Sequence, residues 1–125
     1  MKEKTIDING ESFTYMDEVG DPYKFNPMTQ EDAQDILKKA SELLDECGIE
    51  YFLAYGTLLG AVREGNFIKG DEDADIVVTD EKTLYESLPF LWGKGLFINR
   101  IFKGELYTFH VEGRRGHLDM YILKP

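Results

Sequence analysis

Two aspartates, Asp73 and Asp75, alternate with apolar residues in a run that has the pattern of a β-strand. Because successive side chains of a strand point to opposite faces, the two carboxylates share one face, about 7 Å apart. Ala74, Ile76 and Val78 then point the other way, into a core. Carboxylate oxygens are the ligands that hard divalent cations prefer. The spacing therefore predicts a site for a divalent cation, and together with the Gly-Thr turn described below it suggests metal-assisted phosphoryl transfer.

Two simpler interpretations of the acidic run Asp71–Asp75 are a solvated turn and a calcium-binding loop. An EF-hand loop needs glycine at its sixth position and glutamate at its twelfth. Ile76 and Lys82 occupy those positions, which excludes an EF-hand. We therefore favour metal binding of the catalytic type by Asp73 and Asp75.

A glycine–threonine pair, Gly56 and Thr57, breaks an apolar run and opens a short predicted helix, Thr57–Arg63. The first turn of a helix leaves backbone N–H groups without partners, which suits a phosphate. Alone, the pair also fits a plain turn and helix cap, but its combination with the acids favours phosphate binding. Arg63 has two open interpretations: a bidentate contact to a donor phosphate, or a solvated helix end favoured by the dipole.

A third acid, Asp119, lies in the middle of the last predicted strand, on its polar face with His117 and Tyr121. If that strand lies beside the strand of Asp73 and Asp75, Asp119 completes a cluster of three carboxylates. The alternative is a surface acid. We expect the cluster to bind Mg²⁺, with Mn²⁺ as the substitute, because hard oxygen ligands suit both ions.

The pattern of helices and strands that position these residues predicts an α+β fold with a mixed sheet. We expect the helices to pack mainly on one face of the sheet and the acids to lie on the other. The Asn9-Gly10 pair predicts an N-terminal hairpin, and Thr29 is the predicted N-cap of the first helix. The predicted helices are Gln30–Cys47, Thr57–Arg63 and Glu81–Leu88. The predicted strands are Thr5–Ile8, Ser12–Tyr15, Ile49–Tyr55, Asp73–Thr79, Leu96–Phe102, Leu106–Val111 and His117–Leu123.

Size and composition indicate one domain, residues 1–125, with an N-terminal hairpin and loop (1–28) and a core (29–125). The net charge of −10, from 24 acidic and 14 basic residues, disfavours a nucleic-acid-binding protein. The single Cys47 excludes an internal disulfide. We expect no signal peptide, because no apolar run follows Met1-Lys2-Glu3-Lys4. No stretch of the sequence approaches the roughly 20 apolar residues that a membrane span needs. We expect a soluble, cytoplasmic protein without a membrane span.

The order of these elements, a strand, a Gly-Thr turn, a short helix, an Asp-x-Asp strand and a later acidic strand, resembles the nucleotidyltransferase superfamily, which has the DNA polymerase β-like fold. More specifically, the chain resembles the LicD and fukutin family, as a minimal short member. The residues that carry this resemblance are Gly56-Thr57-Leu58-Leu59-Gly60-Ala61-Val62-Arg63, Phe67-Ile68 and Asp71-Glu72-Asp73-Ala74-Asp75-Ile76.

The resemblance implies a transferase that moves a phosphoryl-alcohol, such as phosphocholine, from a CDP-linked donor to a glycan hydroxyl. It implies metal ligation by Asp73 and Asp75 and phosphate contact at Gly56 and Thr57. Asp119 would then be a metal ligand or the base for the acceptor hydroxyl.

Two other functions stay open at this point. One is a minimal nucleotidyltransferase that transfers a nucleoside monophosphate to a small molecule, a protein or RNA. The other is a catalytically silent nucleotide-binding module, since members of the family are usually longer. An oligomer that completes its site from a second copy is a further alternative.

The remaining polar residues of the late strands give weaker signals. Four basic residues lie on or between these strands: Arg100, Lys103, Arg114 and Arg115. They could contact a nucleotide or acceptor, but we favour their interpretation as ordinary charged turn residues. His110 and His117 have no catalytic spacing, and we interpret them as ordinary strand positions.

Overall fold

The computed structural model describes residues 2–17, 29–54 and 73–124, with Asp73 described by its backbone alone. Within these ranges the strands are β1 (Lys2–Ile8), β2 (Glu11–Asp17), β3 (Tyr51–Leu53), β4 (Asp73–Val78), β5 (Leu96–Phe102), β6 (Leu106–Val111) and β7 (His117–Ile122). The helices in the same ranges are α1 (Gln30–Glu46), α2 (Glu81–Glu86) and α3 (Leu88–Gly93).

The central sheet has five strands in the order β3-β4-β7-β6-β5. Strands β4 and β7 are parallel, while the other neighbours are antiparallel, so the sheet is mixed. Parallel neighbours need a crossover connection, and α2, α3, β5 and β6 all lie within the chain segment that provides it. The predicted α+β fold with a mixed sheet is therefore confirmed.

One face of this sheet forms the core together with the helices. The β4 residues Ala74, Ile76 and Val78 have no solvent exposure. Their partners on β7, Leu118 and Met120, are equally buried. All three helices contribute buried side chains to the same cluster, including Ile36, Ala40, Leu84, Leu88 and Leu91. The helices therefore pack on one face, and the intervening polar residues of β4 and β7 belong to the other.

The N-terminal hairpin forms a separate two-stranded sheet of β1 and β2. Asn9 and Gly10 have φ angles of 53° and 85°. Positive φ at both central residues is what the tight turn of a two-residue hairpin requires, and Asn-Gly adopts it readily. Ile8 and Tyr15 point from the hairpin into the common core, and the predicted hairpin is thus present.

Helix α1 begins with a capping box. The Thr29 hydroxyl accepts a hydrogen bond from the Asp32 backbone N–H (2.9 Å), and the Asp32 carboxylate accepts one from the Thr29 N–H (3.1 Å). These bonds satisfy two of the backbone donors that a helix start leaves free. The helix ends at Glu46, one residue before the predicted end, and Gly48 follows with φ of 70°.

The segment around Pro89 differs from the prediction. We predicted a helix that ends at Leu88 before the proline, whereas α2 ends at Glu86 and α3 begins at Leu88. Proline is tolerated in the first turn of a helix, where its missing N–H has no intrahelical partner to lose.

None of the helices in the described ranges is long and apolar enough to cross a bilayer.

We predict that Thr29→Ala lowers the free energy of unfolding by about 1 kcal/mol, the usual cost of removing a side-chain N-cap. Urea denaturation measured by circular dichroism gives this value. Thr29→Ser keeps the hydroxyl and should stay close to the wild-type protein. Equal losses for both variants would show that the cap hydroxyl does not stabilise α1.

Candidate active site

The parallel pairing of β4 and β7 places Asp75 directly opposite Asp119. Residues in register on neighbouring strands point to the same face, and the strands are about 4.8 Å apart. Asp75 is 6% exposed and Asp119 is 8% exposed, so both acids are nearly buried. The structure therefore brings together two of the three carboxylates that the sequence singled out.

Asp119 is held by a neighbour on its other side. Thr108 of β6 is in register with Asp119, and its Oγ1 donates a hydrogen bond to Asp119 Oδ1 over 2.8 Å. The Thr108 side chain is buried too, at 3% exposure of the residue. His117 Nε2 lies 3.8 Å from the same oxygen and forms an ion pair with it when protonated. These contacts restrict the orientation of the Asp119 carboxylate.

Two adjacent, nearly buried carboxylates repel each other when both are ionised, and low local polarity strengthens this repulsion. A bound cation removes it. Mg²⁺ is commonly held by one or two carboxylates together with waters and substrate phosphates, so Asp75 and Asp119 are a suitable donor set. Within the described residues, no group of three His, Cys, Asp or Glu side chains is arranged to hold a metal.

The other predicted site residues are placed only in part. The backbone of Asp73 is in register with His117 at the start of β7, and the described part of the structure does not include the Asp73 side chain. Gly56 and Thr57, predicted to bind the donor phosphates, lie outside the described residues. So does Arg63, for which a phosphate contact is one of two open interpretations. Their roles stay predictions.

Ion pairs connect the turn that leads into β7 to the N-terminal part of α1. Arg114 forms an ion pair with Asp35 and lies 3.6 Å from Asp32 Oδ1. Burial raises the pKa of Asp32, but hydrogen bonds from Thr29 and the charge of Arg114 outweigh it and leave that pKa below its usual value. The carboxylate is therefore held in its charged form, and the two contacts of Arg114 connect the β6–β7 turn to α1.

Two buried polar residues of the same sheet, Thr108 and Asn99, were not predicted from the sequence. Thr108 gives no signal, because a threonine in a strand is common. Asn99, which is 4% exposed, lies where the pairing of β5 with β6 shifts by one residue. The consecutive polar pair Asn99-Arg100 interrupts the apolar alternation of β5, and such an interruption is a usable signal for a β-bulge.

The fold is shared with a solved nucleotidyltransferase. The lincomycin-bound crystal structure of the lincosamide antibiotic adenylyltransferase LnuA superposes with a TM-score of 0.55. The match covers 79% of this chain and 58% of LnuA, at 20% sequence identity. At that identity the likeness concerns the fold, which is a nucleotidyltransferase fold.

Two curated relatives come from Rickettsia. The uncharacterized protein RP689 of Rickettsia prowazekii is 36% identical over 78 residues, which is 61% of this chain and 29% of that protein. The uncharacterized protein RT0683 of Rickettsia typhi is 40% identical over 50 residues, 40% of this chain and 16% of that protein. The matched part of this chain thus spans less than a third of either relative.

A family model matches residues 48–124, which include β4, β7 and the acid pair. Its description is LicD/FKTN/FKRP, nucleotidyltransferase domain. The match covers more than half of the chain and agrees with the resemblance found in the residues themselves. The chain is a member of the LicD/FKTN/FKRP family, within its nucleotidyltransferase domain.

Proposed function

We propose that this protein is a metal-dependent transferase that cleaves the phosphoanhydride of a CDP-linked donor and moves its phosphoryl-alcohol, such as phosphocholine, to a glycan hydroxyl. The observation that carries the proposal is the in-register pair Asp75 and Asp119, nearly buried on the polar face of a nucleotidyltransferase fold. Family membership supports this class of transferase.

In the proposed reaction, the acceptor oxygen forms a bond to the phosphorus that carries the alcohol. The bond from that phosphorus to the bridging oxygen breaks, and CMP leaves with the electron pair. The hydroxyl proton passes to a carboxylate or to water. Such a transfer depends mainly on positioning and on neutralising charge on the phosphoryl oxygens.

Residues of this chain would both position the substrates and neutralise the charge on the phosphoryl oxygens. Asp75 and Asp119, with Asp73, would hold Mg²⁺ or Mn²⁺, which supplies positive charge to the phosphoryl group when bound. If Asp119 is not a direct ligand, it would act as the base for the acceptor hydroxyl. Gly56 and Thr57 would bind donor phosphates through backbone N–H groups.

One experiment separates this function from its alternatives. The protein is incubated with Mg²⁺ and either CDP-choline or each nucleoside triphosphate, and the released product is identified. Release of CMP from CDP-choline supports phosphoryl-alcohol transfer, whereas release of pyrophosphate from a triphosphate supports transfer of a nucleoside monophosphate. No release, and no binding of either donor by calorimetry, would indicate a catalytically silent module.

We expect Asp75→Asn and Asp119→Asn each to weaken Mn²⁺ binding and to lower turnover at least about a hundredfold, because a metal supplies several kcal/mol of stabilisation. Electron paramagnetic resonance of free Mn²⁺ gives the affinity. Glu112→Gln, which removes an exposed carboxylate in the β6–β7 turn, is the matched control. Unchanged Mn²⁺ affinity in both aspartate variants would exclude this pair as the metal site.

Thr108→Val should lower Mn²⁺ affinity or activity about 10–100-fold, the usual effect of losing a group that orients a metal ligand. Valine keeps the shape of threonine and removes the hydrogen bond to Asp119. Thr108→Ser retains the hydroxyl and should recover most of the loss. If valine alters only thermal stability and leaves Mn²⁺ affinity unchanged, Thr108 has a structural role alone.

A further inference from the structure

Arg100 of β5 lies on the same face of the sheet as the acid pair. It is in register with Thr108 of β6, Thr108 is in register with Asp119, and Asp119 is in register with Asp75. The four residues therefore form one row across four neighbouring strands. Two strand spacings separate Arg100 from Asp119, which is roughly 10 Å between Cα atoms.

A β-bulge brings Arg100 to this face. Leu96 and Ile98 point into the core, with exposures of 0% and 2%, and strict alternation along β5 would send Arg100 there as well. The pairing shifts between Ile98 and Arg100, so Asn99 is the extra residue. The Asn99 side chain is hydrogen-bonded to His110. Bulges are frequent next to active sites, where they redirect a side chain.

The Arg100 guanidinium has a donor without an acceptor. Its Nε is buried and has no hydrogen-bond partner in the described part of the chain. None of the ion pairs among the described residues involves Arg100, although the chain has 24 acidic residues against 14 basic ones. Arg114, by comparison, is paired with Asp32 and Asp35. A buried unpaired N–H is costly, which points to an acceptor brought by a ligand.

The surroundings of Arg100 suit an anion attached to an apolar or ring-shaped body. Its Cζ lies 5.1 Å from the centroid of the Phe102 ring, and Lys103 Nζ lies 5.2 Å from the same centroid. The aromatic contact restrains the guanidinium, and the lysine adds positive charge. Phe102 is in register with Leu106, and Leu106 with Tyr121, so an apolar strip runs beside the polar row.

We propose that Arg100 binds an anionic group, a phosphate or a carboxylate, on the acceptor of the transfer reaction. Nε–H and one Nη–H would donate to two of its oxygens, the forked arrangement that arginine favours. The Arg100 guanidinium lies against Phe102 on its own strand, and its Cα is about two strand spacings from that of Asp119. We therefore assign it to the acceptor, with the phosphates of the CDP-linked donor at the acid pair. The inference rests on the proposed function and names its substrate class: an acidic acceptor.

The test uses the side-chain Nε–H resonances of the full chain, labelled with ¹⁵N, in the absence of any divalent metal. The Arg100 signal is assigned by its loss in Arg100→Lys, which keeps the positive charge but lacks the fork. The protein is titrated separately with inorganic phosphate and with glucuronate, a sugar carboxylate. Arg115→Lys, in an exposed turn, is the matched control, and backbone spectra establish that each variant is folded.

We expect a saturable shift of the Arg100 Nε–H, and an affinity about tenfold or more lower in Arg100→Lys, measured through neighbouring backbone signals. A response to phosphate alone indicates a phosphorylated acceptor, and a response to glucuronate indicates an acidic sugar. No saturable shift with either probe, or an equal shift of Arg115, would overturn the proposal. Because no metal is present, this result is independent of Mn²⁺ binding and turnover, which test the transferase function itself.

Discussion

The parallel contact between β4 and β7 is the constraint on which the candidate site depends. These strands are far apart in sequence, and their register alone sets Asp75 beside Asp119. A slip by one residue would turn one of the two acids toward the core. The core prevents it, because Ile76 and Met120, which are paired one step further along, have no solvent exposure. Apolar packing on one face thus positions the chemistry on the other.

The nearly buried acids on the polar face lower the stability of the fold, and packing in the core has to offset this loss. Carboxylates removed from water lose hydration, and the loss is tolerable only when other polar groups compensate. Thr108 does this for Asp119 by donating a hydrogen bond. Local departures from what stability favours are expected at functional sites. The pairing of two nearly buried acids on neighbouring strands is such a departure.

Much of this architecture follows from local sequence patterns. The turn at Asn9 and Gly10 and the cap at Thr29 were predictable because each depends on the chemistry of a few adjacent residues. The sequence predicted the proximity of Asp119 to Asp75 only on the condition that their strands are neighbours. Local patterns do not determine which strands pair. The α3 helix was missed because Pro89 is as compatible with a helix start as with a helix end.

Because Asn99 is an extra residue in β5, the number of residues in this strand decides which side chains face the core. Before this point even-numbered side chains face inward, and after it the odd-numbered ones do. A deletion of one codon here would exchange the inner and outer surfaces of the remaining strand, whereas many single substitutions would leave them in place. This one residue therefore determines which side chains of the second half of β5 share a face with Asp119.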